Sequence, residues 1–314
     1  MDCSNGCQTA RECFLEPEVR NGFVVSAERK AVWKCLLDML EVVAGVCDRH
    51  RLRWSMCGGS LIGAMRERGF VPWDDDIDIM MPRPDYERLL EVLPGELPPH
   101  LHMQTSKTDP GLVAALMKVR DSRTTCIFPY FAKNHFPLHM GIMLDVLPID
   151  PDPDDPKTRR RLERRNWHCR ATRWCRFMRH PDTLRSWSRK VFGTFVYGLV
   201  GSDFLYEWRE GPYKRMAKTP HPNWSIYPAH VGYISRGHLK ADWLEEYIDV
   251  PFEYLTVKVL KHYDEALTQN FGDWRTPRQA PSEHVGVVQD ASTPYKETLV
   301  RDYGWTQREV DALP

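Results

Sequence analysis

The stretch "GFVPWDDDIDIMMPR", residues 69–83, constrains the fold of this chain more than any other segment. Four aspartates, Asp74, Asp75, Asp76 and Asp78, fall within five positions and run straight into Ile79, Met80 and Met81. A solvated acidic run is usually flanked by Lys, Ser or Gly. Here the flanking residues want a core. A carboxylate left unpaired in a low dielectric is strongly destabilised or takes up a proton, so the fold must compensate this charge. On a strand, alternate residues share a face. Asp76 and Asp78 then project together, Asp74 joins them at the strand's entrance, and Ile77 and Ile79 face the core. A hard divalent cation relieves such crowding, and magnesium characteristically takes one or two carboxylates plus substrate phosphates. A solvated acidic turn ahead of a strand stays open on the acids alone. A calcium loop does not, because Ile79 stands where an EF-hand needs Gly and Asp85 where it needs Glu.

The upstream residues favour the metal reading. Gly58, Gly59 and Ser60 lie between a short strand, "RWSMC" (53–57), and a helix expected over 58–69, with Gly69 as its stop. Glycines admit a ligand close to the backbone, a helix N-terminus offers free N–H groups, and Ser60 adds a hydroxyl, which together make an anion cradle. A Gly-Gly-Ser turn, a helix and then an Asp-x-Asp strand is the ordered signature of a nucleotidyltransferase fold. That fold carries a third carboxylate on a later strand, and "GIMLDVLPI" (141–149) supplies Asp145. As an isolated strand acid, Asp145 equally suits a strand-end cap or an arginine partner. Asp150, before Pro151, is expected to cap a turn.

Hydrophobic residues make up 42% of the 314 and charged residues 27%, enough for a packed core and against global disorder. An amphipathic helix is expected over 26–50, capped by Ser26, with Val32, Trp33, Leu36, Leu37, Leu40 and Val43 at helical spacing. A strand at 77–81, a helix at 85–93 and strands at 101–105, 115–120 and 124–128 follow. "DPDPDDPK" (150–157) is a natural break. Beyond it comes an Arg-rich helix to about 180, then mixed helix and loop, and a helix over 262–273. The fold class is α/β (α+β): a core with a mixed sheet, then a mostly helical C-terminal half.

"GGSLIGAMRERGFVPWDDDIDIMMPRPDYERL" (58–89) closely resembles the LicD family of phosphotransferases, which includes the fukutin-like ribitol-phosphate transferases. The resemblance continues in "MKVRDSRTTCI" (117–127), "GIMLDVLPID" (141–150) and "VPFEYLTVKVLKHYDEALTQNFGDWRTP" (250–277), spanning roughly residues 30–290. It implies a nucleotidyltransferase-like fold that moves a phospho-alcohol such as phosphocholine from a CDP-linked donor to a hydroxyl of a cell-surface glycan or lipid-linked glycan. It implies Mg2+ or Mn2+ on Asp76 and Asp78 with Asp74 assisting, Asp145 as the later-strand acid, and Gly58, Gly59 and Ser60 as the phosphate turn. Arg66, Lys118 and Arg120 lie within matched motifs and become candidate phosphate contacts; as isolated residues they read equally as surface charge. Gly59-Ser60 stands where Gly-Thr is common, which keeps the hydroxyl. The implied organisation is a tail (1–25), the nucleotidyltransferase-like core (26–150), a basic helical insertion (151–201), the C-terminal part of the LicD-type domain (202–290) and a second tail (291–314). Nucleotidyl transfer onto a small hydroxylated substrate, or an inactive glycan-binding relative, are the alternatives.

A formal net charge of zero hides a basic stripe: residues 157–190 hold 13 Lys/Arg against Glu163 and Asp182. Trp167, Trp174 and Phe177 recur on one face of it, and the apolar "VFGTFVYGLVG" (191–201) follows, too short to span a bilayer. A membrane-surface or lipid-linked acceptor contact through 157–201 is expected, and no nucleic-acid partner. Nine cysteines without a framework, and no secretory signal in the first 25 residues, point to free thiols in the cytoplasm or at the inner face of the membrane. Cys3, Cys7 and Cys13 lack a fourth zinc ligand, and His168, Cys169, Cys175 and His180 have no zinc spacing. Tyr130, Phe131, Trp224, Tyr227 and Tyr233 are loop aromatics that suit a choline cage or loop anchoring.

Overall fold

The computed structural model describes residue 11, residues 13–179, residue 181, and residues 183–226, 238–279 and 286–314. Cys3, Cys7, His180, Tyr227 and Tyr233 lie outside the described residues. The hairpin β1 (Glu18–Arg20) and β2 (Phe23–Val25) precedes α1 (Ala27–Arg49). Ser26 caps α1 by accepting from Arg29 N at 3.3 Å, and the expected apolar stripe, including Trp33, Leu36, Leu37, Leu40 and Val43, is buried. Next come β3 (Ser55–Met56), α2 (Gly58–Ile62), β4 (Ile77–Pro82) and α3 (Arg83–Val92). Then follow β5 (Leu101–Gln104), β6 (Met117–Asp121), β7 (Thr125–Ile127), α4 (Pro129–Lys133) and β8 (Met143–Pro151). The second half contains α5 (Pro156–Phe177), α6 (Leu184–Met216), β9 (Asn223–Ile226), β10 (His238–Lys240), β11 (Tyr247–Phe252) and β12 (Leu255–Leu260). It closes with α7 (Tyr263–Phe271), β13 (Val288–Asp290), α8 (Tyr295–Tyr303) and α9 (Gln307–Asp311).

The fold is a mixed α/β architecture around a seven-stranded sheet. Its spine is β8, the longest strand. On one edge β8 pairs in parallel with β4, which carries β3 antiparallel beyond it. On the other edge it pairs antiparallel with β6 along its first half and with β9 at its end. Pleating sorts β4 by face. Ile77, Ile79 and Met81 join the main core with α1, while Met80 packs with Leu239, Trp243 and Leu244 on the opposite side. Asp78 shares Met80's face.

Several local expectations change. The helix expected over 58–69 is the five-residue α2 followed by a π-helical turn, Gly63–Glu67. Arg68, left-handed at φ 55°, ends it rather than Gly69. Gly69 is needed for space instead: a Cβ there would stand 2.1 Å from Glu253 Oε1. Glu253, at the β11–β12 turn, accepts from Phe70 N at 2.9 Å and from Arg20 Nη1 at 2.7 Å, so it clamps the turn that leads into the aspartates. We expect Gly69→Ala to push this carboxylate off both donors and lower the unfolding free energy by about 1–3 kcal/mol in urea titrations. An unchanged midpoint would mean that Glu253 is not a clamp.

Asp150 caps no turn. It lies inside β8, fully buried, and accepts from Arg83 Nε and Nη2, both at 2.6 Å. Arg83 Nη1 also reaches Glu210 of α6 at 2.9 Å. The mixed helix and loop expected after 180 is one 33-residue helix, α6, kinked at Gly201 (φ 75°, ψ 173°). The strands β9 to β13 fall where the sequence showed none: β9 and β13 are short and pair with the distant strands β8 and β7, while β11 and β12 form a local hairpin. The aromatic face expected on α5 is divided. Trp174 stacks on Tyr130 at 4.6 Å and Phe177 packs on Tyr197 and Phe136, while Trp167 stays exposed. No helix among the described residues is long and apolar enough to cross a membrane.

Candidate active site

The backbone of the acidic segment is anchored to the surrounding fold. Asp74 N donates to Val71 O at 2.9 Å, and Asp74 O accepts from Arg29 Nη1 and Trp33 Nε1, each at 2.9 Å. Trp33 itself stacks on Phe70 with centroids 4.4 Å apart, so the loop is anchored to α1 through the core. In this loop the carboxylates of Asp74, Asp75 and Asp76 each offer an oxygen within 4.8 Å of the others. Among the described residues this is the group of His, Cys, Asp or Glu side chains spaced to share one cation. Asp75 was not an expected ligand. Strand alternation would turn it away from Asp74 and Asp76, but 74–76 precedes the strand and its turn gathers three consecutive residues. The triple Asp in the sequence is the signal that strand-based reasoning set aside.

The other acids stand alongside. Asp78 lies across from Asp145 in the parallel β4–β8 register, and Asp145 lies across from Lys118 in the antiparallel β8–β6 register. Asp78, Asp145 and Lys118 thus form a row across three strands. Lys118 Nζ sits 2.5 and 2.7 Å from the two Asp145 oxygens, a charge-assisted contact that neutralises Asp145. Burial pushes the Asp76 carboxyl well above the usual range, and the charges of Asp78, Asp74 and Asp145 push it further. That ordering is the electrostatic trace of four carboxylates converging. The donor set is all oxygen and strongly negative, which suits a hard divalent cation.

The turn at 57–60 fixes Asp78 from both sides. Cys57 N donates to Asp78 O at 2.9 Å, and Asp78 N donates to Ser60 Oγ at 3.0 Å. Ser60 is buried, so its hydroxyl oxygen serves the strand. Gly58 has φ +55°, and a Cβ on Gly59 would stand 2.4 Å from Asp74 Oδ2. Asp74 therefore rests against the bare Gly59 backbone. The two remaining basic candidates have protein partners. Arg66 donates to Trp274 O at 2.9 Å and to Glu67 at 2.6 Å. Arg120 is buried, donating to Gln104 Oε1 at 2.6 Å and Gly141 O at 2.7 Å, and burial lowers its pKa. Tyr130 and Phe131 pack around Trp174 and Phe136, and Trp224 Nε1 donates to His221 O at 3.2 Å. Cys169, also buried, donates to Leu205 O.

A known family model covers the segment that carries Asp74, Asp75, Asp76 and Asp78. The family described as LicD/FKTN/FKRP, nucleotidyltransferase domain, matches residues 51–142, which include β3, α2, β4 and β6. The lipopolysaccharide cholinephosphotransferase LicD of Haemophilus influenzae is 28% identical over 245 residues, covering 76% of this chain and 88% of that protein.

Proposed function

Because the chain belongs to the LicD family, we propose that it is a phosphotransferase that moves a phospho-alcohol, phosphocholine first among candidates, from a CDP-linked donor to a glycan hydroxyl. The observation that carries this reading is the packing of Asp74, Asp75 and Asp76 within 4.8 Å beside the Asp78–Asp145–Lys118 row. Magnesium or manganese fits this donor set, with Asp74, Asp75 and Asp76 as ligands and Asp78 and Asp145 adjacent. When bound, it supplies neutralising charge for the donor's diphosphate.

The chain's own residues do the rest. Phosphoryl transfer needs positioning and charge neutralisation more than covalent catalysis. Trp33 and Arg29 hold the Asp74 backbone, and Ser60 and Cys57 hold Asp78, so the carboxylates are oriented before a donor arrives. Gly59 lets the Asp74 carboxylate rest against the bare backbone, and Gly58 holds a positive φ beside Asp78. Lys118 is the cation of the row and offers an ammonium to a phosphate oxygen on the same face, releasing Asp145 as it does so. The proton of the acceptor hydroxyl passes to a carboxylate of the cluster.

The test is CMP release from a panel of CDP-alcohols with magnesium, with and without a glycan-lipid extract. CMP from one donor supports the reading. Pyrophosphate from a nucleoside triphosphate would replace it with nucleotidyl transfer. Lys118→Met supplies a sharper check on the row. Removing the ammonium leaves Asp145 unneutralised and deepens the negative field, so magnesium should bind more tightly, seen as a lower concentration for half-maximal thermal stabilisation. CMP release should fall by about 10–100-fold. Unchanged magnesium dependence would remove Lys118 from the site.

A further inference from the structure

Among the described residues, no element packs on the outward face of α6. Leu184, Trp187, Val191, Phe192, Phe195 and Leu199 recur at helical steps and are all exposed, Leu184 by 89% and Phe192 and Leu199 by 69% each. The inner face is set by Gly193, where a Cβ would stand 2.6 Å from Cys175 Cβ of α5, so the apolar stripe points away from the protein. Side chains of this size normally lie in a core. The stripe runs for roughly 24 Å of helix at 1.5 Å per residue. Its borders are cationic: Arg185 and Arg189 are exposed, and Lys190 Nζ lies 5.6 Å from the Trp187 ring centroid. Between Leu184 and Val200 there is no acidic residue.

From this arrangement we infer that α6 is a bilayer-docking helix, lying in the plane of an anionic membrane with its apolar stripe in the headgroup–acyl boundary and Arg185, Arg189 and Lys190 at the headgroups. An apolar face edged by an aromatic ring and by Lys and Arg is how a helix partitions at such an interface. Charge selects this occupant over a second copy of the chain. Two copies facing through the stripe would oppose Arg and Lys to Arg and Lys with no acid in the segment to pair them. Lipid phosphates supply the missing counter-charge. The inference goes beyond the phosphotransferase reading and stands without it, because none of these residues belongs to the carboxylate cluster.

Co-sedimentation of the purified protein with phosphatidylcholine vesicles, and with vesicles doped with phosphatidylglycerol, tests it. We expect binding to the doped vesicles that weakens several-fold as salt is raised. The pair Phe195→Asp and Leu199→Asp should reduce binding by at least about tenfold. Arg185→Glu with Arg189→Glu should abolish the preference for the anionic vesicles. Both pairs change exposed residues, so their thermal midpoints should match the parent's, which separates lost docking from lost folding. Absent vesicle binding, or binding indifferent to the aspartate pair, overturns the inference. So does a parent dimer in sedimentation velocity that the aspartate pair disperses without any vesicle binding, because the stripe then belongs to a second copy.

Discussion

Under the proposed phosphotransfer, Asp76→Asn and Asp78→Asn will each leave the protein folded and reduce CMP release from a CDP-alcohol donor by about 10³-fold or more. A divalent cation on a transferring phosphoryl group contributes several kcal/mol, and each ~1.4 kcal/mol is a factor of ten. The two variants should differ in stability. Without metal, ionised Asp76 is disfavoured by burial and by Asp78, Asp74 and Asp145. Its amide removes that charge, so Asp76→Asn should melt higher than the parent in chelator. With excess magnesium the order should reverse. The parent gains about 2.7 kcal/mol at 100 times its dissociation constant, and the variant gains less. The pH dependence has a definite sign. A carboxyl whose folded pKa is raised lends stability while protonated, fully below its ordinary range, and loses it as pH climbs through the raised value. Metal-free parent protein should therefore lose stability over that interval, and Asp76→Asn should flatten the loss. Scanning calorimetry across pH, with chelator and with magnesium, reads all three effects. A variant as active as the parent would remove the carboxylate cluster from the chemistry.

Arg83→Ala should be the most damaging single truncation away from the cluster. Arg83 is buried and holds Asp150 through two 2.6 Å bonds and Glu210 through one of 2.9 Å. The nearby carboxylates and the Tyr86 hydroxyl raise its pKa well above the ordinary value against the penalty of burial, so it stays charged. Truncation leaves Asp150 buried without its cation and Glu210 with only its neighbour Arg209, at 2.8 Å. Breaking such a pair from one side lowers the unfolding free energy by about 3–5 kcal/mol, readable in denaturant titrations. Arg83→Lys should recover only part of this, because an ammonium cannot make the two-pronged contact with Asp150. Changing Arg83 and Asp150 together to apolar residues should recover more. This ion cluster ties β8 and α3 to α6. A loss below about 1 kcal/mol would show that water reaches the cluster.

The contrast between these two sites explains what could be read in advance. The carboxylate cluster is local. Asp74, Asp76 and Asp78 lie within one turn and one strand, and their conflict with Ile77, Ile79 and Met81 is visible in a one-dimensional pattern. The α1 stripe, the β4 alternation and the position of Asp145 on a later strand follow from periods of 3.6 and 2 that any chain must obey. Asp75 lies in the turn ahead of β4, where strand alternation does not apply. The role of Gly69 was misassigned because the crowding atom, Glu253 Oε1, comes from 184 positions later.

By itself the sequence determined the α/β class, the acidic strand with its glycine turn upstream, and the amphipathic helix that covers the sheet, because each depends on neighbours within a few residues. Tertiary structure alone decided what depends on distant partners. It set Asp145 beside Asp78 and Lys118 by register, and turned Asp150 from an expected cap into the buried partner of Arg83. It also packed Trp174 and Phe177 of α5 inward and left the apolar face of α6 exposed, within the 157–201 segment expected to meet a membrane surface. The physical reason is the same in each case. Periodicity specifies which face of an element a residue occupies, while only packing specifies what that face meets.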